Sequence, residues 1–358
     1  MKKIISFALA LCLCLTVFGA SFAEKTVAEM TAEELYQTGR DAFNAEDYEK
    51  AMEYYQLAAD AGKAEAWRGI GYLYGNALGV ELSYEKAMEY YQRAADQGDS
   101  SAMFNIGVLY IKGMGVEQDY GKAREYFQQA ADLGNGVAAY NLGYLYFYGL
   151  GAEQDYGKAA EYFRQAGDLG NADAPGFLGD MYFSGQGAEQ DYGKAAEYYR
   201  QAADLGSARG MTQLGYQYHS GLGVEQDYGK ALEYFQQAAE LGNAAALNNL
   251  GDMYENGAGV KQDYEQAMKY YQQAADLGNE YAYAGIGDFY RCGKGVEQDL
   301  KQAAEYFKRA LELGADASVF QEGLDELSAA LCAAGKAVED AGNPEEAREY
   351  FRLAEDLG

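Results

Sequence analysis

Between Ala64 and Ala315 the apolar and polar positions follow two nested periods. The shorter one is helical. After Asp155, the residues Ala159, Tyr162, Phe163 and Ala166 recur at i, i+3, i+4 and i+7, which predicts a helix over 156–168 with one buried stripe. Over 138–148, Ala138, Leu142 and Tyr146 form a matching stripe. Gly143 sits beside that stripe and, having no side chain, lets a second helix approach closely. Gly149-Leu150-Gly151 separates the two predicted helices. Asp155 stands where an N-cap carboxylate accepts from the free amides of a first turn, and Gly170 where a left-handed residue closes a helix. The longer period is 36 residues, because the tyrosine that opens the second helix recurs at Tyr84, Tyr120, Tyr156, Tyr192, Tyr228 and Tyr264 and becomes Leu300. A fixed period of this length predicts a stack of identical units rather than one enlarged core.

The two ends depart from the period. Thr31-Ala32-Glu33-Glu34 is a capping box, followed by Leu35, Thr38, Gly39, Ala42 and Phe43 at helical spacing, a tight turn over 44–47, and a second helix from Tyr48. After Ala315 the pattern predicts one long helix over 318–340, frayed by Gly335. A turn at Gly342-Asn343-Pro344 and a closing helix over 345–357 follow. The predicted organisation is a leader over 1–23, an N-terminal capping unit over 24–63, seven repeats over 64–315 and C-terminal capping helices over 316–358.

The repeated sentence Ala-x3-Leu-Gly-x2-Tyr-x2-Gly-x-Gly-Val-x2-Asp-Tyr-x-Lys-Ala resembles the Sel-one-like repeat family, the longer-looped relatives of tetratricopeptide repeats. The edits are small: Ala152 and Ala188 replace Val, Ser83 replaces Asp, Leu300 replaces Tyr, and Tyr162-Phe163 stand where the family usually has Trp. The resemblance implies an all-α, right-handed α-solenoid of stacked antiparallel helix pairs. It also implies a concave face lined by the first helix of each pair.

Composition narrows the partners. The formal net charge is −28, with 35 tyrosines among 358 residues. Such a charge opposes nucleic acid, which needs cations to neutralise phosphates, and equally opposes an anionic membrane surface. It favours a basic protein partner. Lys2 and Lys3, the apolar stretch 4–18 and the small residues of Gly19-Ala20-Ser21-Phe22-Ala23 read as a secretory signal peptide cut after Ala23. The stretch is short for a bilayer span. The mature chain is thus expected in the cell envelope, the periplasm or outside the cell, as a monomer with no membrane span. Cys12 and Cys14 would leave with the leader. Cys292 and Cys332 would remain, either paired in an oxidising compartment or as two small half-buried thiols.

Candidate catalytic chemistry is sparse. The chain has one histidine, His219, at a position that sister units fill with Phe147, Phe183 and Glu255. One histidine cannot build a paired-histidine zinc motif, and no Gly-rich stretch continues into Lys-Ser or Lys-Thr. Ser83-Tyr84-Glu85-Lys86 fits the Ser-x-x-Lys of penicillin-interactive enzymes, but Ser83 occupies the N-cap position and the companion motifs are missing. The Glu-Gln-Asp triplets, such as Glu117-Gln118-Asp119, lack the converging geometry of a calcium loop. No enzyme, cofactor or metal is expected.

Comparing the units among themselves separates constant from variable positions. Two variable positions flank the constant first-helix glycine, at Arg68/Tyr72, Phe104/Val108, Tyr140/Tyr144, Gly176/Asp180, Thr212/Tyr216, Asn248/Asp252 and Ala284/Asp288. From these we expect partner contacts by Arg68, Tyr72, Phe104, Tyr140, Tyr144, Asp180, Tyr216, Asp252 and Asp288. The aromatics would act as anchors and the acids would select a basic segment. The same tyrosines could instead only cover neighbouring helices. The function that follows is an exported non-enzymatic scaffold or adaptor. The alternatives are a cell-wall enzyme of β-lactamase type and a carbohydrate-binding module.

Overall fold

The computed structural model describes residues 26–357, so the proposed leader and its cleavage point lie outside the described residues. Among the described residues there are eighteen α-helices and no strand. The fold is an all-α solenoid of antiparallel helix pairs. The chain divides into two compact units, one ending at Asn135 and one beginning at Gly136.

The first unit holds three pairs: α1 (Ala32–Asn44) with α2 (Tyr48–Asp60), α3 (Ala64–Gly75) with α4 (Tyr84–Ala95), and α5 (Ser100–Lys112) with α6 (Tyr120–Asp132). The second holds six: α7 (Gly136–Tyr148) with α8 (Tyr156–Asp168), α9 (Ala174–Ser184) with α10 (Tyr192–Asp204), α11 (Ala208–Ser220) with α12 (Tyr228–Glu240), α13 (Ala244–Asn256) with α14 (Tyr264–Asp276), α15 (Glu280–Cys292) with α16 (Leu300–Glu312), and α17 (Gln321–Asp340) with α18 (Pro344–Leu357).

The N-terminal capping box forms as expected, with Thr31 accepting from the Glu34 amide and Glu34 reaching back to the Thr31 amide. Asp155 accepts from the Lys158 amide, and its copies Asp119, Asp191 and Asp227 do the same for their own helices. The neighbouring glutamine closes the other side of the loop. Gln154 Nε2 donates to the Phe147 carbonyl at 2.7 Å, and Gln190, Gln226 and Gln262 repeat the bond. In each copy Gln and Asp therefore satisfy the end of one helix and the start of the next, which uses the polar groups that a helix terminus leaves open.

Packing within each pair rests on a glycine of the first helix against an aromatic ring of the second. A Cβ on Gly143 would lie 2.7 Å from Phe163, and Phe163 is fully buried. The same pairing joins Gly107 to Phe127, Gly179 to Tyr199 and Gly251 to Tyr271. It also occurs at both ends, as Gly39 with Tyr55 and Gly335 with Phe351. Gly335 therefore does not fray the long helix. It is buried in mid-helix, where the Phe351 ring needs the space. The predicted start of that helix shifts as well. Asp316 accepts from Ser318 and holds 317–319 in a 3-10 turn, so α17 begins at Gln321.

A second layer accounts for much of the tyrosine. Tyr146 stacks on Tyr162 at 5.6 Å, and Tyr74–Tyr90, Tyr182–Tyr198 and Tyr290–Tyr306 repeat the geometry. The repeat lysine lies over the first ring, as Lys158 does over Tyr146 at 5.1 Å. Tyr162 accordingly sits in this half-buried stack rather than in the fully buried stripe. Cys292 and Cys332 are free thiols, the first exposed and the second half-buried.

Candidate protein-interaction face

The expected contact residues lie on first helices, and the structure sorts them into exposed groups and groups engaged inside the chain. In the first unit Tyr72 is exposed and meets Phe43 edge-on at 5.8 Å. Arg68 points to the next pair, where its Nε donates to Asp99 Oδ2 at 3.0 Å. Burial alone would weaken the Arg68 charge, but the hydrogen bond and charge of Asp99 hold its pKa above the usual value. Asp99 also caps α5 through the Ala102 amide, so this pair fixes the seam between α3 and α5. Phe104 is half-buried and stacks on Phe127 at 5.5 Å.

In the second unit, Tyr140 and Tyr144 meet on one ring. Tyr140 approaches Phe177 edge-on at 5.5 Å and Tyr144 does so at 6.4 Å. Tyr148, one turn beyond Tyr144, adds a third tyrosine at 4.5 Å. Tyr144 and Tyr148 keep 39% and 51% of their surface open, so this is an aromatic patch with unspent apolar area. Tyr216 is exposed beside Phe183.

The three acids behave differently from one another. Asp180 accepts from the Tyr199 hydroxyl at 2.8 Å and pairs with Arg209, whose guanidinium lies 4.2 Å from the Phe177 ring centre. Burial raises the Asp180 pKa, and Arg209 and Tyr199 only partly offset it. Asp288 is held by Arg291, with Nε at 2.8 Å and Nη2 at 2.7 Å. Asp252 receives the Tyr271 hydroxyl at 2.6 Å, and that hydroxyl is also 2.6 Å from Glu255. A phenol has one proton to give, so the Tyr271 hydroxyl donates to only one of the two carboxyls at a time. Lys294 meets the other oxygen of Glu255 at 2.8 Å.

The positions three before the constant glycine vary for a packing reason. Gly176, Thr212 and Ala284 are buried, and Phe104 and Tyr140 lie against the aromatic ring of their own pair. Their side-chain size is set by the neighbouring helix. The positions one after the glycine are the more open ones. Among groups not singled out from sequence, Tyr148 had a usable signal, since it lies four residues after Tyr144. Arg209, Tyr199 and Tyr271 had none, because they reach their acids across 19 to 29 residues.

The Sel1 repeat model matches nine segments, 29–63, 64–99, 100–135, 136–171, 177–207, 208–243, 244–279, 280–314 and 332–358. The chain belongs to the Sel1 repeat family. Solved structures of Sel1 repeat proteins agree. A protective antigen present in uropathogenic Escherichia coli strains, with an SLR fold, is 30% identical and has a TM-score of 0.68, over 91% of this chain and 69% of its own. A Sel1 repeat protein from Oxalobacter formigenes is 31% identical with a TM-score of 0.64, over 67% of this chain and 99% of its own. Among curated proteins no relative matches. Sel1 repeats are generally non-catalytic protein-interaction modules, and in this Sel1 repeat protein the Ser83-x-x-Lys86 motif is structural. Ser83 caps α4 by accepting from the Lys86 amide, and the Lys86 ammonium lies over the Tyr74 ring at 4.8 Å. His219 sits edge-on to Tyr228, and burial lowers its pKa.

Burial pushes the Asp252 carboxyl up to about 6 from an ordinary value of 3.8, against the opposing pull of the Tyr271 hydrogen bond. A carboxyl that holds its proton more firmly folded than unfolded stabilises the fold fully below its unfolded range. That contribution is lost as pH rises through about 6. Asp155, Asp191 and Asp227 have the opposite sign, because backbone amides lower their pKa values. Their contribution is present above the unfolded carboxyl range and is lost on acidification below it. Stability is therefore expected to fall between about pH 4 and about pH 6 through Asp252. Asp252→Asn should remove that slope while leaving the acid limb in place. Denaturant melts of both proteins across this range check it.

Proposed function

We propose that this protein is an exported, non-enzymatic adaptor that holds a basic protein segment on the first-helix faces of its repeats. The observation that carries the reading is the aromatic patch of Tyr140, Tyr144 and Tyr148 around Phe177, in which Tyr144 and Tyr148 stay exposed. Aromatic side chains with exposed area lose little entropy on docking and are common anchors of interfaces. Tyr72 offers an exposed aromatic in the first unit, and in the second Asp252 is the acid with no basic partner among the described residues, Asp288 being held by Arg291. Arg68 and Phe104, engaged within the chain, would shape the face rather than anchor a partner. Acidic charge across the chain would draw in a basic segment. Export rests on the leader pattern over 1–23. Among the described residues no helix is long and apolar enough to cross a membrane. The related E. coli protein is a protective antigen, which suits a reading outside the cytoplasm.

The test is capture of partners by residues 24–358 from the cell's own envelope and culture fluid, read by mass spectrometry at low and moderate salt. A discrete partner should be retained, and the double change Tyr140→Ala with Tyr144→Ala should weaken it by roughly tenfold or more. Capture that is unaffected while helicity and melting are preserved would remove the aromatic patch from the interface. The endogenous chain in the same samples should begin at Glu24.

A further inference from the structure

Two pairs of the second unit carry the same aspartate–tyrosine contact in different surroundings. In the α9–α10 pair, Asp180 and Tyr199 face Arg209 from the next first helix, so the chain supplies its own guanidinium to the carboxylate. Two repeats on, Asp252 and Tyr271 occupy the same places, but the counterpart of Arg209 is Tyr281. Among the described residues no basic side chain pairs with Asp252. Its partners are the Tyr271 hydroxyl at 2.6 Å and the Asn248 amide nitrogen at 3.4 Å. Lys294 is committed to Glu255, and Arg291 to Asp288 and Glu326.

The space is open as well as uncompensated. In the α7–α8 pair, Phe177 of the next helix fills the slot over Phe163 by stacking on it at 5.0 Å. The residue in that place over Tyr271 is Gly285, with Ala284 beside it. The result is a cleft of about 270 Å³ lined by Asn248, Asp252, Tyr271, Tyr281, Asp288 and Phe320. Within this cleft Asn248 Oδ1 is shielded from solvent and has no hydrogen-bond partner. An acceptor of that kind is costly to leave unmet, and a turn of the Asn248 amide toward the cleft would present it to a donor there.

We propose that this cleft is a socket for an arginine side chain of the bound segment, with Asp252 and Asn248 Oδ1 receiving its N–H groups and Tyr281 and Phe320 walling its plane. The inference deepens the adaptor reading and rests on it. Arginine fits better than lysine because the Asp180 site already holds a guanidinium, against the flat face of Phe177, and because a planar fork can serve two separated acceptors at once. Glu255 and Asp288 are the other acids facing the socket. Lys294 and Arg291 are the bases beside it.

The test is calorimetric titration of the mature chain, at pH 7 and low salt, with the peptide acetyl-Gly-Gly-Arg-Gly-Gly-amide and its lysine and citrulline counterparts. The arginine peptide should bind saturably, with citrulline weaker by about tenfold or more, because citrulline keeps the shape and loses the charge. Lysine should fall between the two. Asp252→Asn should reduce arginine binding to the citrulline level. Gly285→Phe should block it in protein whose far-UV spectrum shows it folded, with some loss of stability because a Cβ there lies 3.2 Å from the Tyr271 ring. Equal binding of arginine and citrulline, no binding by the wild type, or a folded Gly285→Phe protein that binds normally each overturns the socket. Loss of the socket with partner capture still dependent on Tyr140 and Tyr144 leaves the adaptor reading standing. The opposite pattern removes the aromatic patch and keeps the socket.

Discussion

Phe163→Ala is expected to destabilise the second unit by about 3–5 kcal/mol, the cost of emptying a fully packed aromatic site. Phe163 is completely buried and is touched by Gly143 of its own pair, by Tyr140, and by Phe177 of the next pair. Its removal therefore opens a void between two neighbouring pairs at once. A stack is stabilised by nearest-neighbour interfaces, so the loss should appear as early melting of the α7–α9 region and not as a uniform shift. The companion change is Gly143→Leu. Its Cβ would fall 2.7 Å from two atoms of the Phe163 ring, an overlap expected to cost about 3 kcal/mol. Combining the two tests the mechanism, because the leucine can enter the space that the ring leaves. The double variant should be less destabilised than the two single effects added together. Strict additivity in urea melts would show that glycine and ring do not share one space.

Gly223→Ala is the second large effect. Gly223 has φ +72°, and an added Cβ would overlap the backbone carbonyl of Tyr192 in the preceding pair. Two costs add here. A left-handed conformation disfavours an L side chain by about 1–2 kcal/mol. The overlap with main-chain atoms, which cannot rotate away, adds a further penalty of about 1–3 kcal/mol. Gly206→Ala separates them. Gly206 has φ +90° with nothing within 4 Å of an added Cβ, so only the conformational cost applies. Thermal melts should therefore rank Gly223→Ala well below Gly206→Ala. Equal effects would mean that the loop at 223 shifts away freely and does not lock adjacent pairs.

Both predictions turn on features that were unequally visible in the sequence. The helix limits, the Asp155 cap, the Gly170 closure and the approach over Gly143 could be read directly. Each depends on residues a few positions apart and recurs every 36 residues. The fate of the variable positions could not be read in the same way. Asp180, Asp252 and Asp288 look alike in sequence, yet one pairs with Arg209, one has only the Tyr271 hydroxyl and the Asn248 amide as partners, and one is clasped by Arg291. Gly335 read as a weak point in a helix and proved to be the seat of the Phe351 ring. Partners of this kind lie in a different helix, and propensity and periodicity carry no information about which side chain crosses that gap.

The repeat, the all-α class, the caps and the register of each pair follow from the order of residues along the chain, because local hydrogen bonding and hydrophobic period act over a few residues. Tertiary structure alone decided which variable side chains face outward, which acids find a cation, and that Gly285 and Tyr281 leave a cleft at Asp252. Those outcomes depend on the size and charge of residues brought together by stacking, at separations that no local pattern encodes.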